Sequence, residues 1–232
     1  MTLTPEQIGR LLNEPIYSWD VSGLLAGIVD FLDFSENNIS WQREREVRRA
    51  REEADSLEFE EADQHLLPRA REQMIESAEL RFDIGISQSV RYAGLTAFVV
   101  AIEWCMRLFS ARLAVPAPPK PKGVNESVHI LHHLRSRVQQ DMSAQLQQLK
   151  HSIVVRNCVV HAAGVVPGYR HATDVRQALA ALDGFSASDA GLLRETIHIK
   201  RGAVDILARQ ALVWVPSLDR ECSTNGTFHG TP

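Results

Sequence analysis

From position 24 to position 215 apolar residues keep returning at intervals of three and four, and this regularity constrains the fold more than any other feature of the chain. In "IYSWDVSGLLAGIVDFL" the residues Leu24, Leu25, Ile28, Phe31 and Leu32 recur on one face of a helix, and no alternating pattern competes there. The spacing resumes in "NESVHILHHLRSRVQQ" through Val128, Leu131, Leu134 and Val138. The expectation is an all-α chain built as a helical bundle. With 232 residues and 44% hydrophobic content it can bury a full core.

Two departures from the pattern organise the chain. Between 41 and 63 it turns strongly charged: Arg43, Arg45, Arg48, Arg49 and Arg51 precede Glu52, Glu53, Asp55, Glu58, Glu60, Glu61 and Asp63. Only a thin seam of Val47, Ala50, Ala54 and Leu57 survives, which suits a helix touching a partner along one narrow stripe. The acidic run directly after the basic one favours ion pairs along the helix over RNA-phosphate binding by the arginines. Pro68 suits a first helical turn, and the helix it opens runs through Ile75, Ala78 and Phe82, past Gly85 and Gly94, to Arg112, kinked or broken at the glycines. These two helices form a long charged hairpin. The second departure is "AVPAPPKPKG", with Pro116, Pro118, Pro119 and Pro121, expected to be extended and solvated. The division is then 1–113, an N-terminal block with the charged arm that contributes helices to the bundle; 114–123, the linker; 124–216, a C-terminal block; and 217–232, a polar tail expected to be disordered. In the C-terminal block helices are expected at about 141–163 and 175–182, then an extended entry at 197–199 into a last helix.

Charge and cysteine usage exclude several classes. A net charge of −4 argues against a generally basic protein that coats nucleic acid, so any nucleic-acid contact is focused. Cys105, Cys158 and Cys222 are widely spaced, which suits free thiols in a reducing compartment rather than a disulfide framework. No signal peptide is evident in "MTLTPEQIGRLLNEP", and "LTAFVVAI" is closed off by Glu103 and Arg107, too short to cross a bilayer. A cytoplasmic protein without membrane contact is expected.

The stretch "VVRNCVVHAAG", 154–164, places Arg156, Asn157 and His161 in an apolar run. Polar groups there are either paired within the fold or presented to a substrate, because burial without partners is costly. As a helix, the segment turns Val155, Cys158, Val159 and Ala162 to one side and gathers Arg156, Asn157, Val160 and His161 in an arc of roughly 140° on the other. As a strand it would send Arg156 and His161 to opposite faces. The helix-like "DMSAQLQQLKHS" upstream favours convergence. Gly164 falls in the same arc one turn on, where it leaves room for a ligand or ends the helix.

"RNCVVHAAG" resembles the R-x4-6-H motif of the HEPN superfamily, all-α domains in which a polar residue, often Asn, follows the Arg; "IHIKRGAVDIL" is similar to the extended segment that leads into the last helix of many members. The resemblance covers roughly 87–215. It implies an endoribonuclease that needs no metal or cofactor, often a toxin or defence effector with a cognate antitoxin or other regulatory partner, working as a homodimer with two motifs face to face. In that chemistry the 2′-hydroxyl of RNA attacks the adjacent phosphate. His161 is suited to proton transfer, Arg156 to holding the phosphate through two donors, and Asn157 to orienting either the histidine or the scissile phosphate. The competing reading is a HEPN-like interaction or dimerisation module without catalysis, with Arg156 and Asn157 capping neighbouring helices and His161 a satisfied core residue.

Glu103, a carboxylate on an otherwise apolar helix, needs a cationic partner, for which Arg156 or His161 is suited and a cation elsewhere in the chain is equally open. His129, His132 and His133 lie at i, i+3 and i+4, a spacing that can supply two metal ligands, but no third ligand is evident and no H-E-x-x-H is present. A partly exposed polar face is the better expectation for them.

Overall fold

The computed structural model describes residues 16–113, 115, 117–139, 141–189 and 195–226, and within them the chain is predominantly helical. Helix α1 (Ile16–Asp55) is 40 residues long. A 3₁₀ turn, Glu61–Leu66, leads into α2 (Leu67–Leu80), with Pro68 in its first turn. A π-helical segment, Arg81–Ile86, then joins α2 to α3 (Ser87–Arg112), so Gly85 marks a widened turn where the sequence suggested a kink or break. Helices α4 (Glu126–Arg135), α5 (Ser143–Ala162) and α6 (Ala172–Ala181) follow. Strands β1 (Phe185–Asp189) and β2 (Glu195–Ile199) form a small antiparallel ribbon in register from Phe185↔Ile199 to Asp189↔Glu195, ahead of α7 (Ala203–Gly226). Among the described residues, the two strands and the bridge that joins Val165 to Thr196 are the exceptions to the all-α expectation.

Helix α3 is the centre of the bundle, packed by α1, α4, α5 and α7. Leu95, Phe98, Val99, Ala101, Ile102, Cys105, Met106 and Phe109 are all buried and fall within an arc of roughly 160°, while Ala93, Ala97, Val100, Trp104, Arg107 and Ala111 line the opposite, exposed side. The helical run Glu61–Ala111, of which "LTAFVVAI" is part, contains a window long and apolar enough to cross a membrane by length and composition, and half of that window is buried inside the bundle. At Gly94 a side chain would strike Leu32, so the missing Cβ sets how closely α1 approaches α3. Residues from both sides of the Pro-rich segment enter one core, from Val21 and Leu25 to Leu218 and Cys222.

The charged hairpin forms through the seam. Val47 and Ala54 are buried and α1 packs along α2. Arg49 pairs with Glu53 one turn on at 2.8 Å, the expected ladder, whereas Arg43 reaches across to Asp83 in the π segment at 2.8 Å. On α1 itself, Leu25, Ile28 and Leu32 are buried, but Leu24 and Phe31, expected on the same face, are exposed. The true apolar face follows 21, 25, 28, 32, which leaves 24 and 31 about a quarter of a turn away.

Two features of the C-terminal block correct expectation. Residues 217–226, expected to be a disordered tail, continue α7 through Pro216. Leu218 and Cys222 extend the stripe of Ala211 and Val215 at four, three and four, and both are fully buried; residues 227–232 lie outside the described part. The Pro-rich segment is also less free than expected, because His129 Nε2 lies 2.8 Å from the Pro118 carbonyl and His133 Nε2 3.1 Å from that of Val115. Two imidazoles of the cluster thus hold chain carbonyls. No group of three metal-ligating side chains occurs among the described residues.

The end of β2 is pinned by the first turns of α3. Gln88 Nε2 donates to the Ile199 carbonyl at 3.1 Å and its Oε1 accepts from the Ile199 N–H at 2.9 Å, closing the strand end as a neighbouring strand would. Arg91 Nη1 donates to the same carbonyl at 2.9 Å while its Nε and Nη2 grip Glu36 of α1 at 2.5 and 3.0 Å. Glu36 is buried, so removing its partner strands a charge in the core. Arg91→Met should cost roughly 3–5 kcal/mol in urea denaturation, against under ~1 kcal/mol for Arg49→Met at the exposed Arg49–Glu53 pair. His198, which accepts from Gln88 Nε2 at 3.1 Å, titrates below the ordinary histidine range, first because of burial and then because of Arg91 and Lys200. The folded form holds this imidazole neutral and the unfolded chain takes up its proton first. Its contribution is therefore present above about pH 6.5 and lost as pH falls below it. Unfolding midpoints measured between pH 7.5 and 5 should fall, and by less in His198→Gln.

Candidate active site

The motif lies on α5 as the convergent reading requires. Asp141 Oδ1 accepts from the Ser143 N–H at 3.0 Å and from its hydroxyl at 2.8 Å, setting the helix start. Leu146, Leu149, Ile153, Val155, Cys158 and Val159 are buried and fix the helix's rotation, so Arg156 and Asn157 come to the edge of the core and Val160 and His161 to the surface. Burial pushes the Cys158 thiol up to about 11. With its Sγ 3.6 Å from the Val165 carbonyl it is a packing group and not a nucleophile.

Helix α5 ends in two left-handed residues, Ala163 at φ 50° and Gly164 at φ 79°, and the N–H groups of both bond back to the Cys158 carbonyl, that of Gly164 at 3.3 Å. The chain then runs along β2, with Ile197 N–H on the Gly164 carbonyl at 2.9 Å and Val166 N–H on that of Glu195 at 3.0 Å. The hydroxyl of Tyr92 donates to the Ile197 carbonyl and lies directly against Gly164, where a Cβ would collide with it. Of the two roles open to Gly164, ending the helix is the one realised. The room its missing side chain leaves is filled by Tyr92, so the expectation that Gly164 supports or contacts substrate is corrected.

Glu103 of α3 meets Arg156 of α5, Oε1 to Nη2 at 2.8 Å, with the two side chains 20% and 17% exposed. Arg156 Nε is buried and has no hydrogen-bond partner among the described residues. Asn157 is half-buried and His161 exposed. Arg156 is therefore oriented by a carboxylate while keeping a donor uncommitted, a state that a bound anion would relieve. Around this pair the surface is apolar: Val100 and Trp104, on the stripe of α3 that carries Glu103, and Val160, one turn from Arg156 on α5, are all about half exposed. Sequence reasoning named the polar residues and missed this rim. Its signal was Val100 and Trp104 at three before and one after Glu103 in "VAIEW", where an otherwise buried helix turns a large aromatic outward.

Comparison with family models, with curated proteins and with solved structures gives no match to this chain.

Gly164→Ala should lower stability by roughly 2–4 kcal/mol, combining a strained φ with displacement of Tyr92. Gly168→Ala, also at positive φ but with open space around it, should cost only about 1 kcal/mol. Denaturant titration of the two variants checks the difference.

Proposed function

We propose that the chain is a metal-independent endoribonuclease of HEPN type, cleaving RNA by 2′-hydroxyl attack as a homodimer, in the manner of a toxin or defence effector. The observation that carries the reading is the Glu103–Arg156 pair at the surface end of a tightly packed helix, beside an exposed His161 and inside a rim of exposed Val100, Trp104 and Val160. In this reading Glu103 holds the guanidinium in one orientation, and Arg156 offers its remaining N–H groups to the scissile phosphate and to the charge that builds on it. His161 takes the 2′-hydroxyl proton or delivers one to the leaving 5′-oxygen, and Asn157 orients the phosphate. One chain has one histidine at the motif, whereas attack and departure call for proton transfer on opposite sides of phosphorus. A two-fold pairing through the apolar rim supplies the second His161 by symmetry. The rim also favours a second reading, a dimerisation module that does not cleave.

The experiment is cleavage of single-stranded RNA in EDTA with end-group analysis. Wild-type protein should cleave and leave 2′,3′-cyclic phosphates. His161→Ala and Arg156→Ala should each lose on the order of 10²–10⁴ in rate while remaining folded, and Val160→Asp should lose activity together with the rim-mediated dimer. Unchanged cleavage by His161→Ala sinks the nuclease assignment to this motif. Loss of wild-type activity in chelator sinks the metal-free mechanism, and a folded dimer with no cleavage of any RNA leaves the module reading standing.

A further inference from the structure

The solvent face of α1 carries a feature that the candidate site does not use. Leu24, Phe31, Phe34 and Trp41 are 41%, 44%, 74% and 57% exposed, and with Gly27, Asn38 and Arg45 they follow the spacing three, four, three, four, three, four. This is the a and d pattern of a helix that packs against another helix. It is a second seam, on the side of α1 away from Val21, Leu25, Ile28 and Leu32. The stripe runs for about 32 Å along the helix. Gly27 has open space over its α-carbon, and Arg45 lies over the Trp41 ring with its guanidinium carbon 5.1 Å from the centroid.

The geometry points to a second copy of this chain as the occupant, its α1 lying antiparallel on this one. The stripe is a palindrome about the midpoint between positions 32 and 33. Antiparallel pairing therefore sets Leu24 against Trp41 of the second copy, Phe31 against Phe34, and Gly27 against Asn38, so that every large side chain meets a large one and the polar Asn38 meets the residue with no side chain. Charge selects the orientation. Parallel pairing would stack Arg45 on Arg45 and Arg48 on Arg48, which the antiparallel register avoids. Four partly exposed side chains of this size bring roughly 400 Å² per copy. That is below the ~800 Å² per partner of an ordinary stable interface, so the association should be of micromolar strength.

This pairing is independent of the ribonuclease reading. Gly94 faces Leu32 of α1, and Glu103, nine residues further along α3, is about half a turn round from it, so α1 and the candidate site lie on opposite sides of the central helix. The test is sedimentation equilibrium from ~1 to ~100 µM on protein carrying Val160→Asp, which removes any pairing through the rim of the site. This protein should pass from monomer to dimer across the range, and adding Phe34→Asp should hold it monomeric with an unchanged circular dichroism spectrum, since Phe34 is largely in solvent. Mixing Leu24→Cys with Trp41→Cys protein under mild oxidation should give the mixed disulfide in preference to either self-pair. A monomer at all concentrations before Phe34→Asp is added overturns the proposal, as does a dimer that Phe34→Asp leaves intact. Self-pairs of each cysteine variant overturn the antiparallel arrangement. A Phe34→Asp protein of unchanged mass but lower melting temperature would mean that the stripe is covered by the chain's own residues 1–15, which also overturns it.

Discussion

A helix whose buried side spans nearly half its circumference needs several neighbours to cover it, and α3 imposes that requirement on the rest of the molecule. Helices α1 and α7 and helices α4 and α5 all pack against it. The enclosing helices are then placed by what α3 offers. The bare backbone at Gly94 admits Leu32, and Glu103, set into an apolar stretch, calls for a cation that α5 provides in Arg156. A carboxylate in such a setting would be expensive alone. Its pairing is thus part of how α5 is held against α3, and the guanidinium of the motif is aimed by the same contact that helps to close the bundle.

The polar work is concentrated on one short stretch. Gln88, Arg91 and Tyr92 occupy neighbouring positions on the first turns of α3, and all three bond to backbone of β2, at Ile199 and Ile197. Strand β2 in turn receives residues 164–166, which end α5. Bonds therefore run without interruption from the start of the central helix to the end of the motif helix.

Much of this was legible because burial writes a period into a sequence. Val155, Cys158 and Val159 announced their helix and its inward face, and the seam of Val47 and Ala54 announced the charged hairpin. The cost of burying a lone carboxylate announced that Glu103 has a cationic partner, with Arg156 and His161 as candidates beside the cations elsewhere in the chain. What escaped is what periodicity does not encode. Leu24 and Phe31 carry the right residue types and the wrong phase, so they read as core although they face solvent. The helix through 217–226 hid behind polar residues and Pro216, with only Leu218 and Cys222 to mark its buried side. The bonds from His129 and His133 to linker carbonyls, and from Gln88 to Ile199, join residues distant in sequence or use backbone groups that every residue carries.

The shared core has a consequence for how the chain can be divided. Segments on either side of the Pro-rich stretch contribute interleaved side chains to one interior, so neither half owns a core to fold around. A cut within 117–122 leaves two fragments, one bearing Glu103 and the other Arg156, Asn157 and His161. Each fragment alone would expose a large apolar surface, and burying that surface drives their reunion. Backbone continuity is thereby separable from architecture. Whatever the paired side chains accomplish therefore requires both segments to be packed together.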